Sequence, residues 1–216
     1  MARLFSSLQR LERNSAVITG YPYTIAAWVY DDGTSTSFPF LVGCSTSGTT
    51  ANTTRLQLFL DNTGLVSTGV GAVSVSATAA RTVNTWFHAC AVHASATSHA
   101  AFLNGGNKGT STSSATFPTG MNRTSINAWN AGANVGIAGN MAHVAIWNVA
   151  LDDAEVLELA NGLIPTRIRP QSELSYWACN ARDSGEIDPF SLNDMTNYSS
   201  TSNANEPRIS QASFIA

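Results

Sequence analysis

Apolar and polar residues alternate in short runs through most of this chain. In residues 21–33, YPYTIAAWVYDDG, the odd-numbered positions from Tyr23 to Val29 share one face of a predicted strand, and the even-numbered positions from Thr24 to Tyr30 share the other. Both faces carry apolar side chains, which is typical of a strand in the middle of a sandwich, and Asp-Asp-Gly ends the run. The pattern therefore predicts a central β-strand here.

Further runs have the same period of two. RLQLFLDNTG (55–64) predicts a strand and a turn, and TWFHACAVHAS (85–95) predicts a long strand with even-numbered residues on one face and odd-numbered residues on the other. SHAAFLNGGNKG (98–109) runs into Asn104-Gly105, a pair that favours a tight hairpin turn with positive φ. ANVGIAGNMAHVAIWNV (133–149) predicts a last pair of strands. Short strands between Gly, Asn and Ser turns indicate an all-β antiparallel sandwich or jelly roll.

One short helix is predicted near residues 152–161. Asp152 is a good N-cap, and Glu155 completes a capping box by reaching back to the N–H of the cap residue. Leu151 and Val156 occupy the positions of a hydrophobic staple, and Gly162 can adopt the left-handed conformation that ends a helix. The acidic residues at the helix start are therefore explained by capping rather than by catalysis. The predicted apolar stripe consists of Val156, Leu159, Ala160 and Leu163.

Composition narrows the class of protein. The chain has 216 residues, and only 12% of them are charged, against about 25% in average proteins. The net charge is −3 and the only lysine is Lys108, so the sequence does not predict a basic surface that would bind nucleic acid. The scattered arginines are interpreted as structural. Ser, Thr, Asn and Gly must then cover the surface, which is typical of a β protein with uncharged loops.

Cysteine usage and the N-terminal residues bear on the compartment. Cys44, Cys90 and Cys179 are far apart and odd in number, so they predict neither a disulfide framework nor a zinc site but buried thiols in a reducing compartment. MARLFSSLQRLERNS lacks the apolar centre of a signal peptide, and no run approaches the about 20 apolar residues of a membrane span. We therefore expect no membrane partner and no export by the standard route.

Three segments together resemble the laminin-G-like, concanavalin-A-like jelly rolls: YTIAAWVYDDG, NTWFHACAVHASATSHAAFLNGG and VGIAGNMAHVAIWNVALDDAEVLELANG. The resemblance implies a single domain over residues 1–216, strand rather than helix for residues 3–12, a lid formed by the helix over one end of the sandwich, and a segment 165–216 that returns along it. The positions that match the family's motifs are Trp28, Trp86 with His88, Phe102 with Asn104 and Gly105, and Gly139 with Met141, Val144 and Ile146.

Such jelly rolls occur in lectins, glycosidases, adhesion modules and virion proteins of tailed phages, so the fold alone does not give the function. The polar Ala/Ser/Thr/Asn surface and the Pro-Arg-Ile at 207–209 are most similar in style to the phage group. The leading hypothesis is a non-enzymatic virion structural protein: a capsid decoration protein or a head or tail fibre component, assembled in the host cytoplasm. It predicts capsid or other virion proteins as partners and a homo-oligomer, a trimer being our guess.

No catalytic motif is complete. Laminarinase-type glycosidases of this fold carry Glu-x-Asp-x-Glu or Glu-x-Asp-x-x-Glu, whereas GEIDPF has Glu186 and Asp188 but Phe190 or Ser191 in the third acidic position. Pro189 also interrupts a regular strand, so the segment is interpreted as a surface turn. The four histidines lack metal-type spacing, and His88 is predicted to be a hydrogen-bonded core residue. We expect no enzyme.

Calcium is the one cofactor that the resemblance suggests. Many laminin-G-like modules carry acidic residues near the Gly-x-Ile strand, but Ala142 and His143 occupy those positions here. Asp31, Asp32 and Asp61 remain as loop carboxylates that a hard cation accepts, although turn formation explains them as well. The sequence therefore gives calcium little support, and no cofactor is expected.

The alternative function is a carbohydrate-binding, lectin-like module that recognises host or surface glycans. NAWNAG offers Trp129 between Asn127 and Asn130, and sugar sites combine an aromatic platform with amide or carboxylate hydrogen bonds. The competing interpretation makes Trp129 a core or edge residue. Trp147 and Trp177 lie in predicted strands and are expected to be buried.

Overall fold

The computed structural model of the chain describes residues 2–5, 9–35, 38–49, 51–129, 136–179, 187–189, 191 and 193–198. Asn130, Glu186, Phe190 and the Pro-Arg-Ile at 207–209 lie outside them. In chain order the described strands are β1 (Arg3–Phe5), β2 (Arg10–Arg13), β3 (Tyr23–Asp31), β4 (Phe40–Ser45), β5 (Arg55–Leu60), β6 (Leu65–Val70), β7 (Val73–Ala80), β8 (Trp86–Ser95), β9 (Ser98–Leu103), β10 (Gly106–Ser111), β11 (Arg123–Ile126), β12 (Gly139–Trp147), β13 (Glu173–Trp177) and β14 (Thr196–Tyr198).

These strands form two antiparallel sheets that face each other, which confirms the predicted jelly-roll sandwich. The first sheet has the order β1-β12-β3-β8-β9-β10, with β13 also paired to β12. The second sheet has the order β14-β2-β11-β4-β5-β6-β7. Residues 3–12, predicted as strand, contribute β1 to the first sheet and the start of β2 to the second.

The core lies between the sheets and follows the predicted alternation. Odd-numbered residues of β3 and β8 point into it, as Ile25 and Phe87 show, and both are almost fully buried. Even-numbered residues such as Ala26 and Cys90 point to the other side of the same sheet. Trp177 also lies in the core, and Trp147 packs on the outer side; neither is exposed, as expected. All three cysteines are buried and none is in a disulfide, in agreement with their interpretation as thiols.

Helix α1 (Asp153–Ala160) begins with the predicted capping box. Asp152 Oδ1 accepts from Glu155 N at 2.9 Å, and Glu155 Oε2 accepts from Asp152 N at 2.9 Å. Gly162, at φ 94°, ends the helix. None of the described helices is long and apolar enough to cross a membrane.

The helix covers the outer face of the first sheet. The resemblance implied a lid over one end of the sandwich, but Val156 and Leu159 pack instead on side chains that point outward from the first sheet. The Asn104-Gly105 hairpin adopts the predicted positive φ at both residues, 54° and 72°. A Cβ at Gly105 would lie 2.8 Å from Leu157 Cα, so glycine lets this turn contact the helix. The sheet residues under the helix are Ala26, Cys90, Val92, Ala100, Phe102, Ala145, Trp147 and Tyr176.

Candidate functional site

A groove of about 330 Å³ opens on the outer face of the second sheet, on the opposite side of the sandwich from α1. Its volume is in the range of small-ligand sites. It crosses β4, β5, β6 and the turn into β7, and the loop after β11 closes one side. We call it the aromatic groove, and the described residues that line it are Phe38, Phe40, Asn52, Arg55, Gln57, Phe59, Gly69, Gly71, Ala72, Val73, Ser74 and Trp129.

Strand β5 supplies one wall of the aromatic groove through its alternation. Leu56, Leu58 and Leu60 point into the core, so Arg55, Gln57 and Phe59 point outward. Phe59 pairs in register with Phe40 of β4, and their rings stack with centroids 5.9 Å apart. The outward side of a surface strand thus carries aromatic side chains, a pattern that marks binding surfaces when it is contiguous.

One polar side chain, that of Gln57, lies at the centre of this wall. Gln57 pairs with Gly69 of β6, and a Cβ at Gly69 would lie 3.2 Å from Gln57 Nε2. The glycine therefore leaves the amide room to lie across β6. Gln57 Oε1 is buried and has no hydrogen-bond partner, a state that costs about 1–3 kcal/mol until a partner arrives.

Phe38 forms the exposed rim of the groove. The residue is 47% exposed and its ring centroid lies 6.4 Å from that of Phe59. Its φ of 56° falls in the left-handed region, where a bulky residue without glycine's freedom is strained by about 1–3 kcal/mol. Such strain persists only where the surrounding structure enforces it, and it is frequent at ligand clamps and active sites. The exposed ring of Phe38 is therefore a candidate ligand contact.

Trp129 lines the aromatic groove and is half-buried. It is therefore neither a core residue nor a freely exposed platform. The edge-on contact with Phe40 has centroids 5.3 Å apart, and the Arg55 guanidinium carbon lies 4.1 Å from the Trp129 ring centroid. Arg55 thus covers one face of the indole. The indole Nε1 is buried without a hydrogen-bond partner.

The prediction that Asn127 contacts a ligand requires correction. Asn127 is 1% exposed, and its amide is used inside the protein: Nδ2 donates to Gln9 O at 2.9 Å and to Ile137 O at 3.2 Å, while Oδ1 accepts from Ile137 N at 2.8 Å. Its φ of 62° is one that asparagine tolerates better than most residues. Asn127 therefore fixes the loop that carries Trp129. Asn130 lies outside the described residues.

The three loop carboxylates considered for calcium form turns and an ion pair. Asp32 Oδ1 accepts from Thr34 N and its hydroxyl, and the fully buried Asp31 pairs with Arg81. Burial raises the pKa of Asp61, but hydrogen bonds from Thr63, Leu65 and Ser76 outweigh it and hold that pKa below its usual value. Among the described residues no group of three or more His, Cys, Asp and Glu side chains is arranged to hold a metal.

Three histidines, His88, His93 and His99, are buried inside the protein. His88 is buried as predicted, but its Nδ1 has no hydrogen-bond partner, and burial lowers its pKa to about 3. His93 and His99 share a bond of 2.8 Å between their Nδ1 atoms, and Thr68 Oγ1 of the second sheet lies 2.8 Å from His93 Nε2. Burial, with a contribution from His99, lowers the pKa of His93 to about 3. The bond from Thr68 to His93 links the two sheets.

The segment that resembles a glycosidase motif is exposed at Ile187 and Pro189, as predicted for a surface turn, but not at Asp188. Asp188 is fully buried and its carboxylate accepts from the backbone N–H and the hydroxyl of Ser191. The expectation of a solvated turn was therefore wrong for this residue. Burial, followed by the charge of Asp188, raises the pKa of nearby Glu173 to about 7. Neither carboxylate lines the aromatic groove.

Sequence reasoning found Trp129 but missed most of the groove. Phe38, Phe40, Arg55, Gln57 and Phe59 were not predicted. One available signal was the aromatic Phe59 at an outward position of RLQLFL, where a solvated strand usually carries a polar residue. No sequence signal placed Phe38 beside Phe59.

Residues 7–157, well over half of the chain, match the family described as the concanavalin A-like lectin/glucanases superfamily. No curated protein sequence matches the chain significantly. The family match and the two-sheet fold agree with the resemblance inferred from the sequence.

Several solved structures share the fold at low sequence identity. A candidate carbohydrate-binding protein from Bacteroides ovatus aligns with a TM-score of 0.68 at 15% identity, over 97% of this chain and 61% of its own, so the chain spans about three fifths of that protein. Domain 4 of the GH43 extracellular arabinanase AbnA from Geobacillus stearothermophilus, in complex with arabinotriose, aligns at 0.56 and 16% identity over 74% and 76%. A heptameric SAP-like pentraxin from Limulus polyphemus aligns at 0.53 and 16% over 71% and 76%.

Proposed function

Because the chain belongs to the concanavalin A-like lectin/glucanases superfamily, we propose that it is a carbohydrate-binding protein whose saccharide site is the aromatic groove. The observation that carries the proposal is the rim of this groove, where the strained and exposed ring of Phe38 stands beside Phe59. Sugars present apolar C–H faces that pack on aromatic rings and hydroxyls that need polar partners. The groove offers both kinds of contact.

The polar part of the site consists of amides and a guanidinium. Gln57 and Asn52 line the groove with Arg55, and Gln57 Oε1 lacks a partner in the free chain. A saccharide hydroxyl that donates to this oxygen would remove the cost of leaving it unpaired. We therefore expect the affinity for a saccharide to depend on two contacts: a sugar ring packed on Phe38, and a sugar hydroxyl that donates to Gln57 Oε1.

The proteins of similar structure support carbohydrate binding, but they do not identify the ligand. One neighbour in fold is a candidate carbohydrate-binding protein, and another is an arabinanase domain solved with arabinotriose. Hydrolysis of glycosides ordinarily needs two carboxyl groups flanking the bond, and the described lining residues contain no Asp or Glu. The proposal is therefore one of recognition without cleavage.

The virion hypothesis stays a prediction. It depended on surface composition and on similarity of style, and no described contact and no relative reported above favours a capsid or fibre role over glycan recognition. The predicted trimer also stays a prediction. A carbohydrate-binding surface protein and a particle component are compatible, so this hypothesis loses its leading place without being excluded.

The test is glycan binding by the purified chain with matched tryptophan variants. An array of plant, bacterial and animal oligosaccharides identifies a bound glycan, and calorimetry then compares Trp129→Ala with Trp86→Ala. Trp86 is also half-buried but lies on the first sheet. We expect Trp129→Ala to weaken binding by about tenfold or more, since Arg55 loses its stacking partner, and Trp86→Ala to leave it unchanged. No binding to any glycan, or loss with Trp86→Ala instead, would show that the proposal is wrong.

A further inference from the structure

A second cavity of about 330 Å³ lies beside the aromatic groove. It is lined by Thr53, by residues 71–73 at the turn from β6 into β7, and by residues 114–119 of the loop between β10 and β11. We call it the loop cavity. The aromatic groove has a similar volume and is lined by the same residues 71–73. The two cavities are therefore neighbours that share one border.

Backbone contacts hold the shared turn in place between the two cavities. Gly71 N donates to Arg55 O at 3.0 Å, which ties the turn to the start of β5. On the other side, a Cβ at Gly71 would lie 3.0 Å from Thr116 O, so glycine lets the turn approach the loop between β10 and β11. The turn residues at the border, Gly71 and Ala72, have the two smallest side chains. They project little, and a ligand can cross from one cavity to the other.

The loop cavity offers the same two kinds of contact as the aromatic groove. Phe117 is half-buried and gives the cavity an aromatic wall, and its ring makes an edge-on contact with Tyr21 at 5.2 Å between centroids. Four exposed residues supply hydroxyls: Thr53, Ser114, Thr116 and Thr119. No hydrogen bond among the described residues occupies these four hydroxyls, so each can donate to a ligand or accept from it.

The size of the two cavities favours an oligosaccharide over a single sugar. Sites for small ligands usually measure about 300–1,000 Å³, so each cavity alone lies at the lower end of that range. A saccharide chain that occupies both adds the contacts of the loop cavity to those of the aromatic groove. Once one part of the chain is bound, the next part is held close to its own cavity at a high effective concentration. Affinity should therefore increase with chain length.

We propose that the aromatic groove and the loop cavity form one extended site for a linear oligosaccharide that crosses the turn between β6 and β7. One part of the saccharide packs on Phe38 in the aromatic groove. The next part packs on Phe117 and exchanges hydrogen bonds with the hydroxyls of Thr53 and Thr116. The inference rests on the proposed function, because it specifies the length and the path of the saccharide that the same groove binds.

The test measures affinity as a function of chain length. Calorimetry compares the monosaccharide to the hexasaccharide of arabinan, xylan, mannan and β-glucan, together with fragments of any glycan identified on the array, for the wild type and Thr116→Tyr. Tyrosine at this exposed position adds bulk to the loop cavity, and Thr116 does not line the aromatic groove. Thr112→Tyr is the matched control, because Thr112 is an exposed threonine of the same loop that lines neither cavity.

We expect the affinity of the wild type to rise by about tenfold or more once the chain is long enough to reach the loop cavity, and to stay level beyond that length. Thr116→Tyr should remove this gain without weakening the binding of short chains, and Thr112→Tyr should change neither. If Thr116→Tyr does not fold, Thr53→Tyr takes its place, because Thr53 is an exposed residue of the same cavity outside this loop.

Two results would overturn the inference and leave carbohydrate binding intact. The first is equal affinity for short and long chains. The second is a gain with chain length that persists when the loop cavity is filled by tyrosine, because the saccharide would then leave the aromatic groove by another path. No binding of any glycan by the wild type would refute the proposed function itself, and the inference with it.

Discussion

The two sheets of this sandwich carry apolar side chains on their outer faces, but only one of these faces is covered by the helix. On the first sheet, α1 packs Val156 and Leu159 over the outward residues, and Trp147 beneath it is not exposed at all. On the second sheet, Phe38 and Trp129 stand at an open groove. The same kind of side chain thus contributes to stability on one face and is available to a ligand on the other.

Hydrogen bonding separates the two tryptophans as well. Trp147 Nε1 donates to Ile168 O at 2.8 Å, so the indole under the helix is satisfied within the protein. Trp129 Nε1 has no partner. Because an unpaired buried donor lowers stability, Trp129 retains a cost that Trp147 does not.

The largest expected effect tests this contrast with two tryptophans. Trp147→Ala should lower the free energy of unfolding by about 3–5 kcal/mol, because it leaves a cavity under α1 and an unpaired Ile168 carbonyl. Trp129→Ala, at a half-buried site, should cost clearly less. Urea denaturation of both variants is the measurement. Equal losses of stability would mean that the two faces do not differ in the way described.

Acidification should lower the free energy of unfolding because His88 is buried. Burial lowers the pKa of His88 to about 3, so as the pH falls below about 6.5 the unfolded chain binds a proton that the folded chain does not. The contribution of His88 to stability is therefore complete above pH 6.5, and it falls by about 1.4 kcal/mol per pH unit as the pH decreases towards 3. Because burial also lowers the pKa of His93 to about 3, stability measured between pH 7 and 5 should fall with contributions from both histidines, and His88→Gln should remove the part that belongs to His88.

Glu173 should contribute a pH dependence of stability with the opposite sign, and it therefore serves as a control. Its pKa is raised to about 7 by burial and by Asp188, so the folded chain keeps a proton that the unfolded chain releases above about pH 4.5. That stabilisation is present below pH 4.5 and is lost as the pH rises towards 7. Glu173→Gln should therefore make the loss of stability on acidification steeper. A flatter profile in this variant would contradict the assignment.

A smaller effect tests whether the helix side is independent of the groove. Asp152→Ala removes the cap that accepts from Glu155 N and should cost about 0.5–2 kcal/mol of stability. Because α1 lies on the opposite side of the sandwich from the groove, glycan affinity should not change. Calorimetry on the folded variant checks this point, and a loss of affinity would reveal coupling between the two faces.

The smallest expected change in stability is at the rim of the groove. Phe38→Gly replaces a strained, exposed phenylalanine by the residue that tolerates its φ of 56°, so stability should stay within about 1 kcal/mol of the wild type. Glycan affinity should nevertheless be lost. Leu157→Ala is the matched control, because Leu157 is 46% exposed on α1 against 47% for Phe38. If Phe38→Gly binds as well as the wild type, the rim does not contact the ligand.

Local pattern was sufficient for the elements that depend on near neighbours. The capping box at Asp152, the hairpin turn at Asn104 and the two faces of β3 all formed as predicted. Each depends on residues within a few positions, where hydrogen-bond geometry or the period of the strand is fixed by the backbone itself. The same local logic identified Trp129 as a candidate, because it stands in a polar loop between strands.

Local pattern failed where distant segments decide what a side chain meets. Asn127 looks like a ligand residue beside Trp129, but Gln9 and Ile137 use its amide. Asp188 looks like a turn residue next to a proline, but it is fully buried. In both cases the relevant partners come from folding of the chain, and alternation in one strand carries no information about them.

The sequence by itself determined that this chain forms short antiparallel strands with one capped helix, because strand period, turn residues and caps are local properties. It also indicated that both faces of β3 carry apolar side chains. Only the tertiary structure decided which face α1 covers, and so which face carries the groove lined by Phe38, Arg55 and Trp129. The reason is physical: burial depends on the element that packs against a face, and that element is chosen by contacts between segments far apart in the chain.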